Sequence, residues 1–433
     1  MPIEYAGILA FVCLIIVLIA GIPIAFGLLG ISAILLFSFI GDRSLNILVS
    51  SMWGAMNQDI FICLPLYLFM AFLLEGSGIG VGLYDAMYKW MGPLRGGLAV
   101  GTVLISAIIA AMSGIGGTAI ILMGLLAYPE MRKRRYSQTI SLGTVMAGGT
   151  LGPLIPPSGY FVLLGVYSGV SVGKLFMGGV VPGILMTVLF CAYVLIAAFL
   201  KPESAPAISE KISWKAKFIS LRGLMLPILL ILCVLGSIYA GICTPTEAAG
   251  FGAFGAIICA LINRTFNWAM LKKASLSTFL VTGLMMWLIF GANTFNASLS
   301  MFGINKIISD FVTGLSLSNI GLVGIIVLIA LILGTIMDSG AILLITIPIF
   351  MPLVKLAGID PLWFCVVFTV SLLTGFITPP FGYAMFYLKS IVGKDATMGE
   401  IYRATPPFII AMFIGLVLLI IFPQIVTWLP GKM

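Results

Sequence analysis

Residues 148–159 read Gly-Gly-Thr-Leu-Gly-Pro-Leu-Ile-Pro-Pro-Ser-Gly, and residues 374–382 read Thr-Gly-Phe-Ile-Thr-Pro-Pro-Phe-Gly. Each lies inside an apolar segment, 138–170 and 362–391. Proline lacks the backbone donor and clashes with the preceding turn, so neither segment runs through as one continuous helix. Carbonyls and amides freed at such a break are tolerated at membrane depth only where protein buries them or water reaches them. Upstream of each lies another interrupted apolar segment. Segment 98–128 is broken at Ser113-Gly114-Ile115-Gly116-Gly117, and segment 320–357 near Asp338-Ser339-Gly340. The order is the same in both halves, and Ile155-Pro-Pro-Ser-Gly159 matches Thr378-Pro-Pro-Phe-Gly382 at an offset of 223 residues. A single Gly/Pro cluster reads as a packing kink, common in membrane helices. Two matched clusters, each behind its own interrupted segment, read as a repeat.

The rest of the chain requires a membrane. Of 433 residues, 61% are hydrophobic and 8% charged, with a mean hydropathy of +1.23. Soluble domains carry about 25% charged residues, so lipid must solvate most of this surface. The net charge of +8 is spread thinly between apolar runs, which fits loops flanking membrane spans and not a nucleic-acid surface. Clean spans fall at roughly 61–75, 177–200, 224–241, 246–262, 278–292 and 407–429. Segment 5–41 exceeds one untilted crossing; Gly21 and Pro23 divide it into two short helices or mark one long tilted helix. The opening MPIEYAG has no basic region of the kind that precedes a cleavable signal. The seven cysteines lie singly in apolar runs and read as small packing residues.

Basic loops fix the orientation. Arg132-Lys133-Arg134-Arg135, the stretch Lys201 to Arg222, and Arg264 with Lys272 and Lys273 all mark the cytoplasmic side. With Arg95 before it and the Arg132–Arg135 run after it, segment 98–128 enters and leaves on that side, as a re-entrant hairpin. Residues 356–361 of the second half have no basic residue, and Lys389, Lys394 and Arg403 follow its broken helix instead, so the second hairpin opens outward. The halves are therefore inverted, the arrangement by which secondary transporters pair discontinuous helices. Trp214 with Lys211, Lys215 and Lys217 suggests a short amphipathic helix on the membrane surface.

A broken helix offers chemistry without charged side chains. Its carbonyl ends coordinate cations such as sodium, and its amide ends attract carboxylates. Ser113, Ser158 and Thr378 add hydroxyl oxygens at the breaks. The chain has no histidine, hence none of the commonest general base or zinc ligand. It has no paired-carboxylate or Ser/Lys motif, and no Walker A, HExxH or dinucleotide fingerprint in context; it reads as neither an enzyme nor an ATPase. Of the few acids near apolar runs, Asp338 sits at the second hairpin tip and reads as a substrate or cation contact, or else as a turn or cap residue. Glu247, in Thr244-Pro-Thr-Glu247, reads as a capping acid. Asp59 and Glu75 read as interfacial. Asn293 and Asn296 either bond between helices or border the substrate path.

The stretches AMSGIGGTAI at 111–120, AGGTLGPLIPPS at 147–158, MDSGAILLITIPIFMPL at 337–353 and TGFITPPFG at 374–382 resemble the large membrane subunit of tripartite ATP-independent periplasmic (TRAP) transporters, over about residues 5–430. The resemblance implies an all-α polytopic protein of the bacterial inner membrane, with inverted-topology repeats, two re-entrant hairpins and two broken helices. It further implies an elevator mechanism, as in the ion transporter superfamily, and sodium-coupled uptake of an organic acid. A small four-helix membrane subunit and a periplasmic substrate-binding protein are the implied partners; no cofactor is implied beyond sodium as coupling ion. The expected organisation is scaffold helices over 1–97, a first repeat core over 98–200 and a cytoplasmic connector over 201–223. Scaffold or arm helices over 224–319, a second core over 320–391 and a C-terminal helix over 392–433 follow. By the family's pattern a first sodium site takes Ser113, Ile115, Gly152, Ile155 and Pro157, mostly through carbonyls. By pseudo-symmetry a second takes Thr335, Asp338, Gly375 and Thr378. Substrate contacts are expected from Ser158, Asp338 and Pro380. Family members carry C4-dicarboxylates, sialic acid, other sugar acids and amino-acid derivatives. The lack of arginines at the breaks leans toward a bulky monocarboxylate such as sialic acid. The alternative is a stand-alone sodium- or proton-coupled dicarboxylate or citrate carrier that needs no binding protein.

Overall fold

The computed structural model describes residues 3–114, 116–207, 212–304 and 318–433, with Ile307, Asp310 and Gly314 between the last two stretches. The described chain is helical: α1 (Ile3–Ile19), α2 (Ile24–Ile40), α3 (Ser44–Met56), α4 (Cys63–Gly76) and α5 (Ile79–Met91) open it. Next come α6 (Gly97–Ser113), α7 (Gly116–Lys133), α8 (Gln138–Gly149), α9 (Gly159–Ser168) and α10 (Val172–Leu200). The second half holds α11 (Trp214–Tyr239), α12 (Pro245–Ile262), α13 (Trp268–Met301), α14 (Asn319–Ile336) and α15 (Ser339–Leu356). It closes with α16 (Pro361–Phe376), α17 (Tyr383–Val392), α18 (Met398–Ala404) and α19 (Pro406–Ile421). Among the described residues eight helices are long and apolar enough to cross a membrane.

All four sequence breaks are breaks in helices. Segment 98–128 splits into α6 and α7 at Gly114, and segment 320–357 into α14 and α15 at Met337–Asp338. The Gly/Pro runs separate α8 from α9 and α16 from α17, and both Pro156–Pro157 and Pro379–Pro380 are cis. Segment 5–41 is two helices, divided at Gly21 and Pro23. Polar residues start the helices. Ser137 accepts from the Ile140 amide at 3.3 Å and Asn267 from Met270 at 2.8 Å. Asp360, ahead of Pro361, accepts from Leu362 at 2.8 Å. Thr244 and Glu247 form the reciprocal capping box expected of that acid, and Thr397 with Glu400 forms another. Asp59 and Glu75 are exposed.

Three elements differ in extent from their apolar windows: α11 and α13 are longer and the C-terminal span is shorter. α13 runs over 34 residues because its ends carry Lys272, Lys273, Asn293 and Asn296, which dilute hydropathy without stopping a helix. The expected surface helix at Trp214 is the start of α11 itself, which bends by 43° between Leu221 and Met225; Lys211 lies outside the described residues. The C-terminal span stops at Ile421, two residues before Pro423.

α8 and α16, which lead into the two Pro-Pro breaks, are the most enclosed helices: every residue from Ile140 to Gly149 and from Phe364 to Phe376 is buried. α16 crosses α14 backbone to backbone. A Cβ built on Gly375 would stand 2.7 Å from the Gly334 Cα and 2.8 Å from the Leu331 carbonyl oxygen. No side chain can yield there, so Gly375→Val forces the two helices apart. Overpacking of this kind costs about 1–3 kcal/mol, and thermal unfolding of the detergent-solubilised protein should show a clearly lowered midpoint.

Candidate functional site

The breaks meet in pairs. Gly114, in the left-handed conformation (φ +61°), lies against Pro157–Gly159: a Cβ there would be 2.9 Å from the Pro157 carbonyl oxygen and 3.2 Å from the Ser158 Cα. Two residues on, a Cβ on Gly116 would stand 3.1 Å from the Gly149 carbonyl oxygen and 3.7 Å from the Phe376 ring. Gly117 faces the Tyr387 ring at 3.2 Å. The first interrupted segment therefore touches both broken helices.

Between them opens a cleft of about 470 Å3, with an apolar wall from α13, Val281 to Leu288. Phe72 of α4 adds to that wall, and the starts of four helices supply the polar lining: Gly117 and Thr118 of α7, Tyr160 of α9, Asp338 and Gly340 of α15, and Tyr383 of α17. The first amides of a helix have no intrahelical acceptor, and each N-terminus carries about half a positive charge. Four such ends converge here, while no lysine or arginine lines the cleft. The partner ends of the same breaks, at Ser113, Gly149, Ile336 and Phe376, are C-termini and present carbonyls.

Of the residues expected in the first sodium site, Ser113 ends α6 and Pro157 faces Gly114, so these two loci do come together. Gly152 is buried within the break, and Ile115 lies outside the described residues. The Ile155 side chain, with Pro156, lines a separate cavity of about 470 Å3 between α5, α6, α10 and α11. That cavity has no polar group with which to orient an acid, since its hydroxyl, Thr187, donates back to the Gly183 carbonyl at 2.8 Å. In the second set, Thr335 donates to the Ile332 carbonyl at 2.8 Å and Thr378 to Thr374 at 2.6 Å. Both hydroxyl oxygens keep lone pairs for a cation. The Gly375 carbonyl accepts from the Thr378 amide at 2.9 Å.

Asp338 is both cap and lining. Its carboxylate accepts from the Gly340 amide at 2.9 Å, starting α15, and faces the cleft. The other two expected substrate residues are engaged elsewhere. The buried Ser158 hydroxyl donates to the Pro153 carbonyl at 2.7 Å and accepts from the Tyr160 amide at 3.2 Å, capping α9. Pro380 is exposed, and its carbonyl accepts from the Tyr402 hydroxyl at 2.8 Å. Asn293 accepts from Tyr167 at 2.6 Å and Asn296 donates to the Leu344 carbonyl at 3.0 Å, so both bind neighbouring helices. Three tyrosines around Asp338, Tyr160, Tyr383 and Tyr387, escaped the motif reading. The signal was present: the internal match runs one residue further, Pro156-Pro-Ser-Gly-Tyr160 against Pro379-Pro-Phe-Gly-Tyr383.

The profile of the tripartite ATP-independent periplasmic transporter family, DctM component, matches residues 11–425. The chain belongs to that family. As a TRAP large permease it is a multi-pass protein of the inner membrane and not an enzyme. Curated relatives agree. The chain is 32% identical to the C4-dicarboxylate TRAP transporter large permease protein DctM of Pseudomonas aeruginosa, over 94% of this chain and 93% of that one. It is 28% identical to the sialic acid permease SiaM of Vibrio cholerae, over 95% and 96%. It is also 28% identical to the ectoine/5-hydroxyectoine permease UehC of Ruegeria pomeroyi, over 97% of each. Among solved structures, the Alcanivorax borkumensis YdaH transporter superposes with a TM-score of 0.64 at 17% identity, covering 90% of each chain. At that identity the likeness concerns the fold alone.

Proposed function

We propose that this permease imports a small organic acid in symport with sodium, and that the acid's carboxylate rests in the cleft between α7, α9, α15 and α17. The supporting observation is the convergence of four helix N-termini on one cleft that has no basic side chain. The first amides of α9 and α15 are held by Ser158 and Asp338, so the carboxylate is assigned to the N-terminal ends of α7 and α17, where backbone amides hold an anion without a buried lysine or arginine. Sodium is assigned to the carbonyl side of the same breaks. Ser113, Gly152, Ile155 and Pro157 form one set, with Ile115 outside the described residues, and Thr335, Asp338, Gly375 and Thr378 the other. This donor set fits a hard, weakly charged cation, and among the described residues no cluster of His, Cys, Asp or Glu suits a transition metal. With one acid and no base in its lining, the cleft favours a singly over a doubly charged carboxylate, sialic acid being one such compound. A small membrane subunit and a periplasmic binding protein complete the system, as the family's tripartite name implies.

In this reading α6–α7 and α14–α15 are re-entrant hairpins of opposite orientation, carried with the broken helices in an elevator movement. Cysteines placed at Arg134 and Asp360 in a cysteine-free background should label from opposite faces of the membrane. Labelling of both from one face removes the inverted repeat. Transport is tested in proteoliposomes holding the complex and its binding protein. An inward sodium gradient should drive uptake and an inward proton gradient alone should not. Uptake on the proton gradient in the absence of sodium overturns sodium coupling.

A further inference from the structure

The cavity that Ile155 and Pro156 line, between α5, α6, α10 and α11, shares no lining residue with the cleft. Its walls are apolar apart from Thr187, whose hydroxyl is turned back onto α10. An apolar cavity of about 150 Å3 already stays free of water and takes up an apolar molecule; this one holds about 470 Å3. It is open at one side. Ile184 and Val188 of α10 and Leu232 of α11 form its rim and are 58%, 56% and 61% exposed. Both helices are apolar enough to cross a membrane, α11 as a bent pair. The opening therefore faces hydrocarbon, where lipid chains are the apolar molecules at hand.

An anchor for a headgroup stands at one end of the same space. Met87 lines the cavity. Trp90, less than one turn further along α5, donates its indole N–H to the Lys217 carbonyl at 3.0 Å. The Lys217 ammonium lies 5.0 Å from the Trp214 ring centre and 5.8 Å from that of Trp90, and Phe218 packs edge-on against Trp90. No carboxylate occupies that ammonium: the ion pairs among the described residues are Lys89–Asp85 and Arg134–Glu130. Indole rings collect where hydrocarbon meets headgroups. Lys217 belongs to the basic stretch that marks the cytoplasmic side, and basic pockets between membrane helices on that side hold lipid headgroups. A protein helix fits the space less well. With its side chains it is about 10–12 Å across, so a cavity of this volume admits only about one turn.

We propose that this cavity is a phospholipid site. One acyl chain enters between α10 and α11 and lies against Ile155 and Pro156, and the phosphate rests beside the Lys217 ammonium. The chain packs directly on the α8–α9 break, so the lipid acts on that break without entering the cleft.

The test uses the purified complex of this permease with its small subunit, delipidated in detergent and titrated with phosphatidylglycerol. Native mass spectrometry reads retained lipid, and thermal unfolding reads its effect. The wild type should hold one phospholipid after the more loosely bound ones are stripped, and should gain several degrees in its unfolding midpoint as the lipid is added. Ala107→Phe places a ring in the cavity from α6. It should lose both the retained lipid and the lipid-dependent gain, while its delipidated midpoint equals or exceeds that of the delipidated wild type. Ile184→Trp obstructs the exposed rim without entering the packed interior, and should weaken retention about ten-fold. It keeps the test decisive should the phenylalanine variant fail to assemble. Lys217→Gln should weaken retention about five-fold, the effect of one basic residue near a lipid surface, and Lys217→Arg should preserve it. Equal retention in wild type, Ala107→Phe and Ile184→Trp places the lipid on the outer surface only and overturns the site. So does a wild-type complex that holds no phospholipid, or unchanged affinity in Lys217→Gln. A photo-crosslinker at Ile184 that captures the small subunit gives the opening to a protein helix and overturns it as well. None of these readouts involves sodium or a transported acid, so the lipid site stands or falls apart from the transport reading.

Discussion

Asp338→Asn should reduce uptake about 100-fold, equivalent to about 2.7 kcal/mol, while expression and assembly with the small subunit persist. The two roles of this residue are separable by that one change. Asparagine caps a helix about as well as aspartate, and its side-chain oxygen can still accept from the Gly340 amide now bound at 2.9 Å. What it lacks is charge. A carboxylate held in the membrane with no counter-charge costs at least about 2.5–3.5 kcal/mol on insertion scales, so the folded protein retains it against a penalty that a cap alone does not require. Uptake assays and size-exclusion profiles on the same preparation read the two roles independently. Near-normal uptake with unchanged sodium dependence would reduce Asp338 to a cap.

The second large effect is expected at Gly114. Alanine there must adopt φ +61° and bring a Cβ within 2.9 Å of the Pro157 carbonyl oxygen. The left-handed conformation costs about 1–2 kcal/mol for a residue with a Cβ. The contact adds a displacement of the α6–α7 tip from the break that carries the assigned sodium oxygens. Gly358 supplies the control: its φ is +67°, with nothing within 4 Å of the Cβ position. Both alanine variants should unfold at lowered temperature, Gly114→Ala by more because it adds the contact to the shared cost of a positive φ. Only Gly114→Ala should weaken sodium-dependent uptake, by ten-fold or more. Equal uptake in the two variants would mean that the approach of tip to break is irrelevant to transport.

The breaks themselves were legible in the sequence because proline and glycine act locally: a missing donor or a missing Cβ interrupts a helix whatever surrounds it. The correspondence of the halves was legible because Pro-Pro-x-Gly recurred in the same order relative to its interrupted neighbour. The identity of the lining was much less so. Ser158 and Pro380 lie in the motifs, yet one hydroxyl turns inward to cap α9 and the other residue's carbonyl meets Tyr402. Direction of that kind is set by packing and leaves no trace in spacing. Tyr160 and Tyr383 were recoverable by extending the match one residue. Tyr387 was not, since it stands one helical turn into α17 and reaches the cleft only because Gly117 leaves room for its ring. α13 supplies the apolar wall through residues that look like any other span.

In the proposed reading the attraction for a carboxylate resides in peptide amides, which no substitution other than proline deletes. A selection for transport-deficient variants of this permease should therefore recover few hits that remove a positive charge near the cleft. The hits should accumulate at Gly114, Gly116, Pro156, Pro157, Pro379 and Pro380, where a substitution re-aims backbone that it does not replace. Drift in substrate preference should travel by another route. The side chains that face the cleft can change one at a time while the anion-attracting frame stays constant, so relatives that keep the same broken helices can come to accept different acids.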